Sequence, residues 1–140
     1  MSLIRIGIAV VMHDEQVLVG VRRTNTVQGG KHEFPGGKCL PEETSENCAI
    51  RECYEETGLR VRARELLDHV QHVYEHGHVD LSFWLCRPKT AEQQQPGGNF
   101  QWIEMNALSQ CHFPAANQSV VEMLVKRWHQ GKFRSRPSAP

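Results

Sequence analysis

The chain has 140 residues, of which 39% are hydrophobic and 23% charged, as is usual for a one-domain globular protein. Basic and acidic residues both number 16, so the formal net charge is zero, which argues against stable nucleic-acid binding. No apolar run is long enough to span a bilayer and no signal-peptide pattern is present, so we expect a cytoplasmic protein without a membrane partner. The five cysteines show no C-x-x-C spacing and predict neither a disulfide framework nor a zinc site.

The N-terminal region is rich in β-forming residues. Two apolar runs, IRIGIAVVM (4–12) and QVLVGVRR (16–23), predict a hairpin with a polar turn at 13–15. In the segment EFPGGK (33–38), a proline and two glycines lead us to expect no regular structure.

A helix is predicted over about residues 45–57. Thr44 or Ser45 is a suitable N-cap, and Gly58 is suited to the position just after the last turn. One stripe of this helix is expected to face the core. It consists of Ala49, Ile50, Cys53 and Thr57.

The second half of the chain predicts three strands and one helix. The strands are ELLDHVQHVYE (65–75), HVDLSFWLCRP (78–88) and FQWIEM (100–105), and the helix is ANQSVVEMLVKRWHQG (116–131). The apolar face of that helix is expected to be buried. It consists of Val120, Val121, Leu124, Val125 and Trp128.

These elements predict an α+β fold, in which a mixed central sheet is flanked by helices as an α/β/α sandwich. We expect a single domain over residues 1–130. The remaining segment, 131–140, is polar and has little to pack, so we predict a disordered C-terminal tail.

The first predicted helix carries an unusual acidic face. Glu52, Glu55 and Glu56 are spaced i, i+3, i+4 and lie on one side of it, and Arg51 can pair with Glu55 one turn later. Such a face either contacts water or holds a cation. The two glycines that shortly precede the helix allow backbone groups to approach the carboxylates, which favours an all-oxygen site for Mg²⁺ or Mn²⁺.

Residues 37–59 resemble the Nudix box, G-x5-E-x7-R-E-U-x-E-E-x-G-U. The only departure is Cys53, at a position that is usually Leu, Ile or Val, and a buried cysteine is a small hydrophobe. The matching residues are Gly37, Glu43, Arg51, Glu52, Glu55, Glu56, Gly58 and Leu59.

The resemblance implies a Nudix hydrolase, which splits a diphosphate linked to another group with the help of divalent ions. It implies that the metal ligands are Glu52, Glu55, Glu56 and the backbone carbonyl of Gly36. Glu52 is the first candidate for the base that activates water, and Glu43 is the second candidate or a supporting partner. Arg51 would orient the carboxylates.

The similarity extends to the MutT branch of 8-oxo-dGTP diphosphatases through KHEFPGGK (31–38), HFPAANQSVVEMLVKRW (112–128), VLVGVRR (17–23) and HVDLSFWL (78–85). It implies a small nucleoside triphosphate as the partner and nucleotide-pool cleansing as the role. We also expect a monomer or weak dimer. The implied substrate-binding residues are Arg23, Phe34, Gly37, Lys38, His78 and Asn117.

Asn117 has two interpretations that the sequence leaves open. It is a suitable N-cap for the last helix. It is also suited to recognise 8-oxoguanine, because oxidation at C8 places a hydrogen on N7 beside the O6 acceptor, and an amide can pair with both. Unmodified guanine would instead present two acceptors.

Two departures from the MutT pattern bear on the substrate. Gln93 stands where the branch has a further acidic metal ligand, and Glu92 beside it is a possible replacement. Gly77 stands where the branch has a basic residue that contacts the base, with His76 as the neighbour able to replace it. The alternatives are therefore a preference for CTP or modified pyrimidine triphosphates, an RNA cap hydrolase, or a non-catalytic recognition domain.

Overall fold

The computed structural model describes residues 3–25, 29–75 and 77–133. The strands are β1 (Leu3–His13), β2 (Gln16–Val21), β3 (His32–Glu33), β4 (Gly36–Lys38), β5 (Val61–Tyr74), β6 (Gly77–Pro88) and β7 (Phe100–Glu104). The α-helices are α1 (Ser45–Thr57) and α2 (Gln118–His129), and two short 3₁₀ helices cover Met105–Gln110 and Ala115–Asn117.

The strands form one mixed sheet in the order β3-β2-β1-β6-β5, with β4 added to β1 and β7 added to β2. β1 and β6 run parallel, and the other pairings are antiparallel. The helix α1 packs on one face and α2 on the other. The predicted α/β/α sandwich is confirmed.

The central strand β1 supplies side chains to both faces of the sheet, because successive residues of a strand point to opposite sides. Ile8, Val10 and Met12 enter the core that also holds the buried residues of α2. Ala9 and Val11 enter the core under α1. This alternation holds the two helices at fixed positions on either side of one strand.

The helix α1 begins and ends where the sequence predicts. The Thr44 hydroxyl accepts a hydrogen bond from the Asn47 backbone N–H at 3.1 Å, so Thr44 is the N-cap. Gly58 adopts a φ of 78° and its N–H donates to the carbonyl of Tyr54. The buried stripe contains Ala49, Cys53 and Thr57 as predicted and also Cys48, whereas Ile50 is only partly buried.

The segment EFPGGK departs from the expectation of no regular structure. It contains the last residue of β3 and the whole of β4, and β4 pairs antiparallel with β1 at Ile6–Ile8. A side chain on Gly36 would lie 2.6 Å from the Gly7 carbonyl oxygen. The missing side chains therefore allow this close strand pairing, and they do not interrupt it.

The C-terminal segment also departs from the expectation over its first residues. Phe133 is buried in the core beneath α2, together with Val120, Val121 and Leu124. The prediction of a disordered tail is therefore wrong for residues 131–133, because Phe133 packs in the core. Residues 134–140 lie outside the described part. In the ranges that are described, no helix is long and apolar enough to cross a membrane.

Candidate active site

Strand β4 lies directly against the acidic face of α1. A side chain on Gly37 would come within 2.3 Å of the Glu52 carboxyl carbon, so only glycine leaves room for that carboxylate. The Cys48 thiol, in the first turn of α1, donates a hydrogen bond to the Gly37 carbonyl at 3.3 Å. The predicted proximity of the glycine loop and the acidic helix is therefore present.

Arg51 and Glu43 form a two-point ion pair. Arg51 Nε lies 2.7 Å from Glu43 Oε2, and Arg51 Nη2 lies 2.8 Å from Glu43 Oε1. The Leu40 backbone N–H also donates to Glu43 Oε1 at 3.0 Å. Hydrogen bonds from Arg51 hold the pKa of Glu43 down at about 2 against the opposing effect of burial. Glu43 is consequently ionised throughout the physiological range.

Arg51 also binds two of the predicted metal ligands. Its Nη1 lies 3.1 Å from Glu52 Oε1 and 3.0 Å from Glu55 Oε1. Its Nη2 donates to the carbonyl of Lys38 at 3.1 Å. The hydrogen bonds to Glu43 above all, and then those to Glu55 and Glu52, raise the pKa of Arg51 above its ordinary value. The arginine thus joins β4, the loop before α1 and the acidic face of α1.

Glu56 lies apart from the arginine and accepts a hydrogen bond from the Gly36 backbone N–H at 3.1 Å. Desolvation of its carboxyl group is the main reason that the pKa of Glu56 rises to about 7, although the residue as a whole is exposed. Three neighbouring carboxylates raise that pKa further: Glu33, Glu52 and Glu55. A nearby cation would stabilise the ionised form of this carboxylate, because it would offset the repulsion from the neighbouring carboxylates.

Glu33 is a carboxylate near the site that the sequence analysis did not single out. It lies in β3, 3.3 Å from Arg22 Nη1, and burial raises its pKa. The alternation of a strand would have separated Glu33 from Phe34 and directed it to the other face. That signal was lost because the segment was expected to lack regular structure.

The donor set fits a hard divalent cation, because the side chains of Glu52, Glu55 and Glu56 offer only carboxylate oxygen. In this structure Glu52 and Glu55 contact Arg51, and Glu56 contacts Gly36, so the three carboxylates are held by different partners. A metal would draw them together, and Arg51 would retain Glu43.

The predicted base-recognition residues lie in the segment before β4 and in the loop before α2. The Phe34 ring stacks on the Phe113 ring, with a centroid separation of 4.6 Å and an interplanar angle of 25°. The two segments are also joined through His32, whose backbone N–H donates to the His112 carbonyl at 2.8 Å. Phe113 and Phe34 therefore pack together and join the two segments.

Asn117 occupies the N-cap position of α2 but makes no capping hydrogen bond. Its Nδ2 lies 3.4 Å from the Pro114 carbonyl, a long contact within its own loop. The side chain is partly buried, and Ala116 beside it packs against the core that contains Phe34. The structure therefore gives Asn117 no capping role, and recognition of a base stays a prediction.

Three further residues that were predicted to bind substrate make no described contact with Phe34. Arg23 lies exposed just after β2, and Lys38 is exposed at the end of β4. His78 neighbours Val79, which packs against the core of Phe34, so strand alternation directs His78 to the opposite face of β6. Their contacts with a nucleotide stay predictions.

The loop before β7 brings glycines to the acidic helix. The side chain of Gln93 donates to Gln16 Oε1 at the start of β2, and Glu92 is exposed. The N–H of Gly97 instead binds the Thr57 carbonyl at the end of α1, at 2.8 Å. Replacement of the loop carboxylate by Glu92 stays a prediction. His76 lies outside the described residues.

The sequence model of the NUDIX domain matches residues 7–123, which is most of the chain. The chain belongs to the NUDIX domain family. It is therefore a Nudix hydrolase, an enzyme acting on phosphoric anhydrides, and the family uses divalent metal ions. The box residues described above are its candidate active site.

Comparison with individual Nudix proteins points in the same direction. The 8-oxo-dGTP diphosphatase of Escherichia coli K12 is 28% identical over 129 residues, covering 89% of this chain and 98% of that protein. The CTP pyrophosphohydrolase of the same organism is 32% identical over 65 residues, covering 46% of this chain and 48% of that protein. A MutT structure from work on Aliivibrio salmonicida and Vibrio cholerae has a TM-score of 0.65 and 25% identity, and covers 90% of this chain and 99% of that one. This Nudix hydrolase is MutT-like.

Proposed function

We propose that this Nudix hydrolase is a Mg²⁺-dependent nucleoside triphosphate pyrophosphohydrolase that converts 8-oxo-dGTP to 8-oxo-dGMP and pyrophosphate. It would work as a monomer or weak dimer in the cytoplasm, with one domain that extends to Phe133, and would cleanse the nucleotide pool of an oxidised DNA precursor. The similarity to the E. coli diphosphatase over nearly its whole length supports this proposal.

The observation that carries the proposal is that one short segment, residues 34–37, contacts both Phe113 and the acidic helix. Phe34 stacks on Phe113 at one end of this segment, and Gly37 packs on the Glu52 carboxylate at the other. Three extended residues span roughly 10 Å. The buried Phe34–Phe113 pair and the acidic site proposed for metal-bound phosphates therefore lie within the length of one nucleotide.

The residues of the site are proposed to have different roles in hydrolysis. A bound Mg²⁺ supplies charge neutralisation at the phosphates and lowers the pKa of water. Glu52, Glu55 and Glu56 would hold it, with the carbonyl of Gly36. Glu43 is a poor proton acceptor, because its pKa is about 2 and both of its oxygens are hydrogen-bonded to Arg51. Glu52 is therefore the preferred base, and Arg51 keeps it in position.

Selectivity for the oxidised base is proposed to come from Asn117. Its amide presents one acceptor and one donor group, which complement N7–H and O6 of 8-oxoguanine. Because Asn117 has no capping bond to lose, turning toward a base would cost it only the long contact with Pro114. Unmodified dGTP would place an acceptor against an acceptor, which a buried site penalises.

The decisive experiment measures kcat/KM with Mg²⁺ for 8-oxo-dGTP, dGTP, CTP, dCTP and ADP-ribose. For wild type we expect 8-oxo-dGTP to be the best substrate. Asn117→Ala should reduce the preference for 8-oxo-dGTP over dGTP by about 10- to 100-fold, the value of one buried hydrogen-bonding group. Asn106→Ala, an exposed asparagine on the 3₁₀ helix Met105–Gln110, is the matched control. Equal losses for both nucleotides in Asn117→Ala would contradict base recognition.

The second candidate is a preference for CTP or a modified pyrimidine triphosphate. The similarity to CTP pyrophosphohydrolase favours it, as does glycine at position 77 in place of a basic base-contacting residue. The same set of substrates separates the two, since CTP or dCTP would then show the highest kcat/KM. A non-catalytic domain is disfavoured, because Glu43, Glu52, Glu55 and Glu56 are all present.

A further inference from the structure

Three side chains beside the active site form a group that the proposed mechanism does not use for metal binding. We call Cys39, Glu43 and Cys48 the thiol cluster. One ligand atom from each, the two sulfurs and a carboxylate oxygen, lie within 4.8 Å of one another. Their sequence spacing did not suggest such a group, because the loop between β4 and α1 folds back to create it.

The thiol cluster is held by the fold as well as by its own side chains. The Cys39 backbone N–H donates to the Arg5 carbonyl at 2.8 Å, which fixes that residue against β1. The Arg5 guanidinium in turn donates to the Glu43 carbonyl at 2.6 Å. Cys48 is fully buried in the first turn of α1, and its thiol faces the Gly37 carbonyl. The positions of all three residues are therefore set by backbone contacts.

The separations suit a tetrahedral soft cation. Metal–sulfur bonds of about 2.3 Å place two tetrahedral sulfur ligands about 3.8 Å apart, which small side-chain rotations can reach from the observed arrangement. Two sulfurs favour Zn²⁺ or Cd²⁺ over Mg²⁺, which prefers oxygen. Cys39 is only partly buried, so water can reach the fourth position.

The buried Cys48 thiol is expected to react slowly with other sulfur groups. Burial raises the pKa of Cys48 to about 12, with a further contribution from the neighbouring Cys39 thiol. A neutral thiol is a poor nucleophile, so attack on another sulfur is slow. A coordinated cation, in contrast, displaces the thiol proton directly.

We propose that the thiol cluster binds one Zn²⁺ or Cd²⁺ ion through Cys39, Cys48 and Glu43, and that this binding inhibits the hydrolase. The two thiolates balance the charge of the ion, so Arg51 is not strongly repelled. The cation nevertheless takes up electron density of the Glu43 carboxylate. It would thereby loosen the pair that holds Arg51 in place between Glu52 and Glu55.

The binding test is a CdCl₂ titration of the full chain without nucleotide and with excess Mg²⁺ to occupy the carboxylates. Thiolate-to-cadmium charge-transfer absorbance reports sulfur ligation directly. Wild type should saturate at one equivalent, and Cys39→Ser should bind at least about 100-fold more weakly, since even supporting residues of metal sites contribute 10- to 100-fold. Cys111→Ser, a partly buried cysteine elsewhere in the fold, should bind as wild type does.

Cys48→Ala provides an independent variant, with its melting temperature measured because the residue is buried. A folded Cys48→Ala protein that keeps the full absorbance change overturns the proposal, as does a Cys39→Ser protein that keeps it. Because no nucleotide is present, these outcomes are separate from the substrate proposed above.

The inhibition test measures hydrolysis of the best substrate at saturating Mg²⁺ with one equivalent of Cd²⁺. This part rests on the hydrolase activity of the chain. Wild type should lose at least about tenfold in kcat, and Cys39→Ser should not, because its site is incomplete. Equal inhibition of both proteins would place the inhibitory ion at the glutamates and would overturn the link to the thiol cluster.

Discussion

At the scale of single residues, Arg51 determines how the acidic groups are arranged. Its guanidinium contacts Glu43, Glu52 and Glu55 and thereby reduces the repulsion between them. A guanidinium has five N–H donors in a rigid plane, whereas a lysine has a single point charge, so lysine could not replace it. Metal binding must therefore move Glu52 and Glu55 partly away from Arg51, while the ion pair between Arg51 and Glu43 is kept.

The pKa of Glu56 predicts how metal binding depends on pH. Raised from 4.5 to about 7, it makes the neutral acid the favoured form of the folded, metal-free protein in mildly acidic solution. The stability that protonated Glu56 contributes is complete below pH 4.5 and is lost as pH rises through about 7. A metal binds only the ionised carboxylate. The increase in melting temperature caused by Mg²⁺ should thus be larger near pH 8 than near pH 6.

Thermal melts of wild type with and without Mg²⁺ at the two pH values check this expectation. Glu56→Gln should show a small Mg²⁺ effect at both. Glu46→Gln, which alters an exposed glutamate on the same helix, should keep the wild-type pH dependence. A Mg²⁺ effect in wild type that is the same at both pH values would contradict the role given to Glu56.

At the scale of secondary-structure elements, the contact of β4 with α1 predicts the effect of Gly37→Ala. The added methyl group would overlap the Glu52 carboxyl group, so that carboxylate must move. A displacement of about 1 Å in a catalytic group costs about 100-fold in rate, and we expect a loss of kcat of that order with little change in melting temperature. Steady-state kinetics and thermal melts test this.

The matched control is Gly97→Ala. The added carbon there would meet the Thr57 carbonyl group, with its oxygen at 3.5 Å and its carbon at 3.9 Å, which are ordinary contacts, so activity should stay near that of wild type. Similar activity in the two variants would show that Glu52 has room to shift without loss of function.

The same elements show what the sequence could predict. The bounds of α1 depend on local chemistry, namely the N-cap and the left-handed Gly58. Gly58 was predicted, and Thr44 was one of the two predicted caps. The Arg51–Glu55 pair was predicted as well, because it lies within one helical turn. Strand β4 and the Arg51–Glu43 pair depend on how a loop folds onto β1 and α1, and neither composition nor periodicity contains that information.

At the scale of the whole molecule, Phe133 extends the core past the end of α2. A Phe→Ala change at a buried position costs about 3–5 kcal/mol, so Phe133→Ala should be strongly destabilised in urea or thermal unfolding. Deletion of residues 133–140 should have a similar effect. Deletion of 134–140 alone, which leaves the ring in place, should be far milder, and equal losses from both deletions would show that the buried ring contributes little.

In the candidate site, too, the local features could be predicted from the sequence and the long-range contacts could not. The acidic helix could be predicted because its carboxylates have fixed spacing, and fixed spacing on a helix is fixed geometry. The stacking of Phe34 on Phe113 joins segments about 80 residues apart, and the thiol cluster requires the whole loop before α1. These features become visible only when the complete sheet is assembled.

The parallel pairing of β1 with β6 has a consequence for the order of folding. Each residue of β1 in this ladder pairs with one roughly 75 positions later, and such long-range contacts slow folding because a large loop must close first. During synthesis, the acidic helix leaves the ribosome well before β6. Its carboxylates therefore spend that interval without a completed sheet behind them. We expect the acidic site to reach its final geometry only after β6 has joined the sheet.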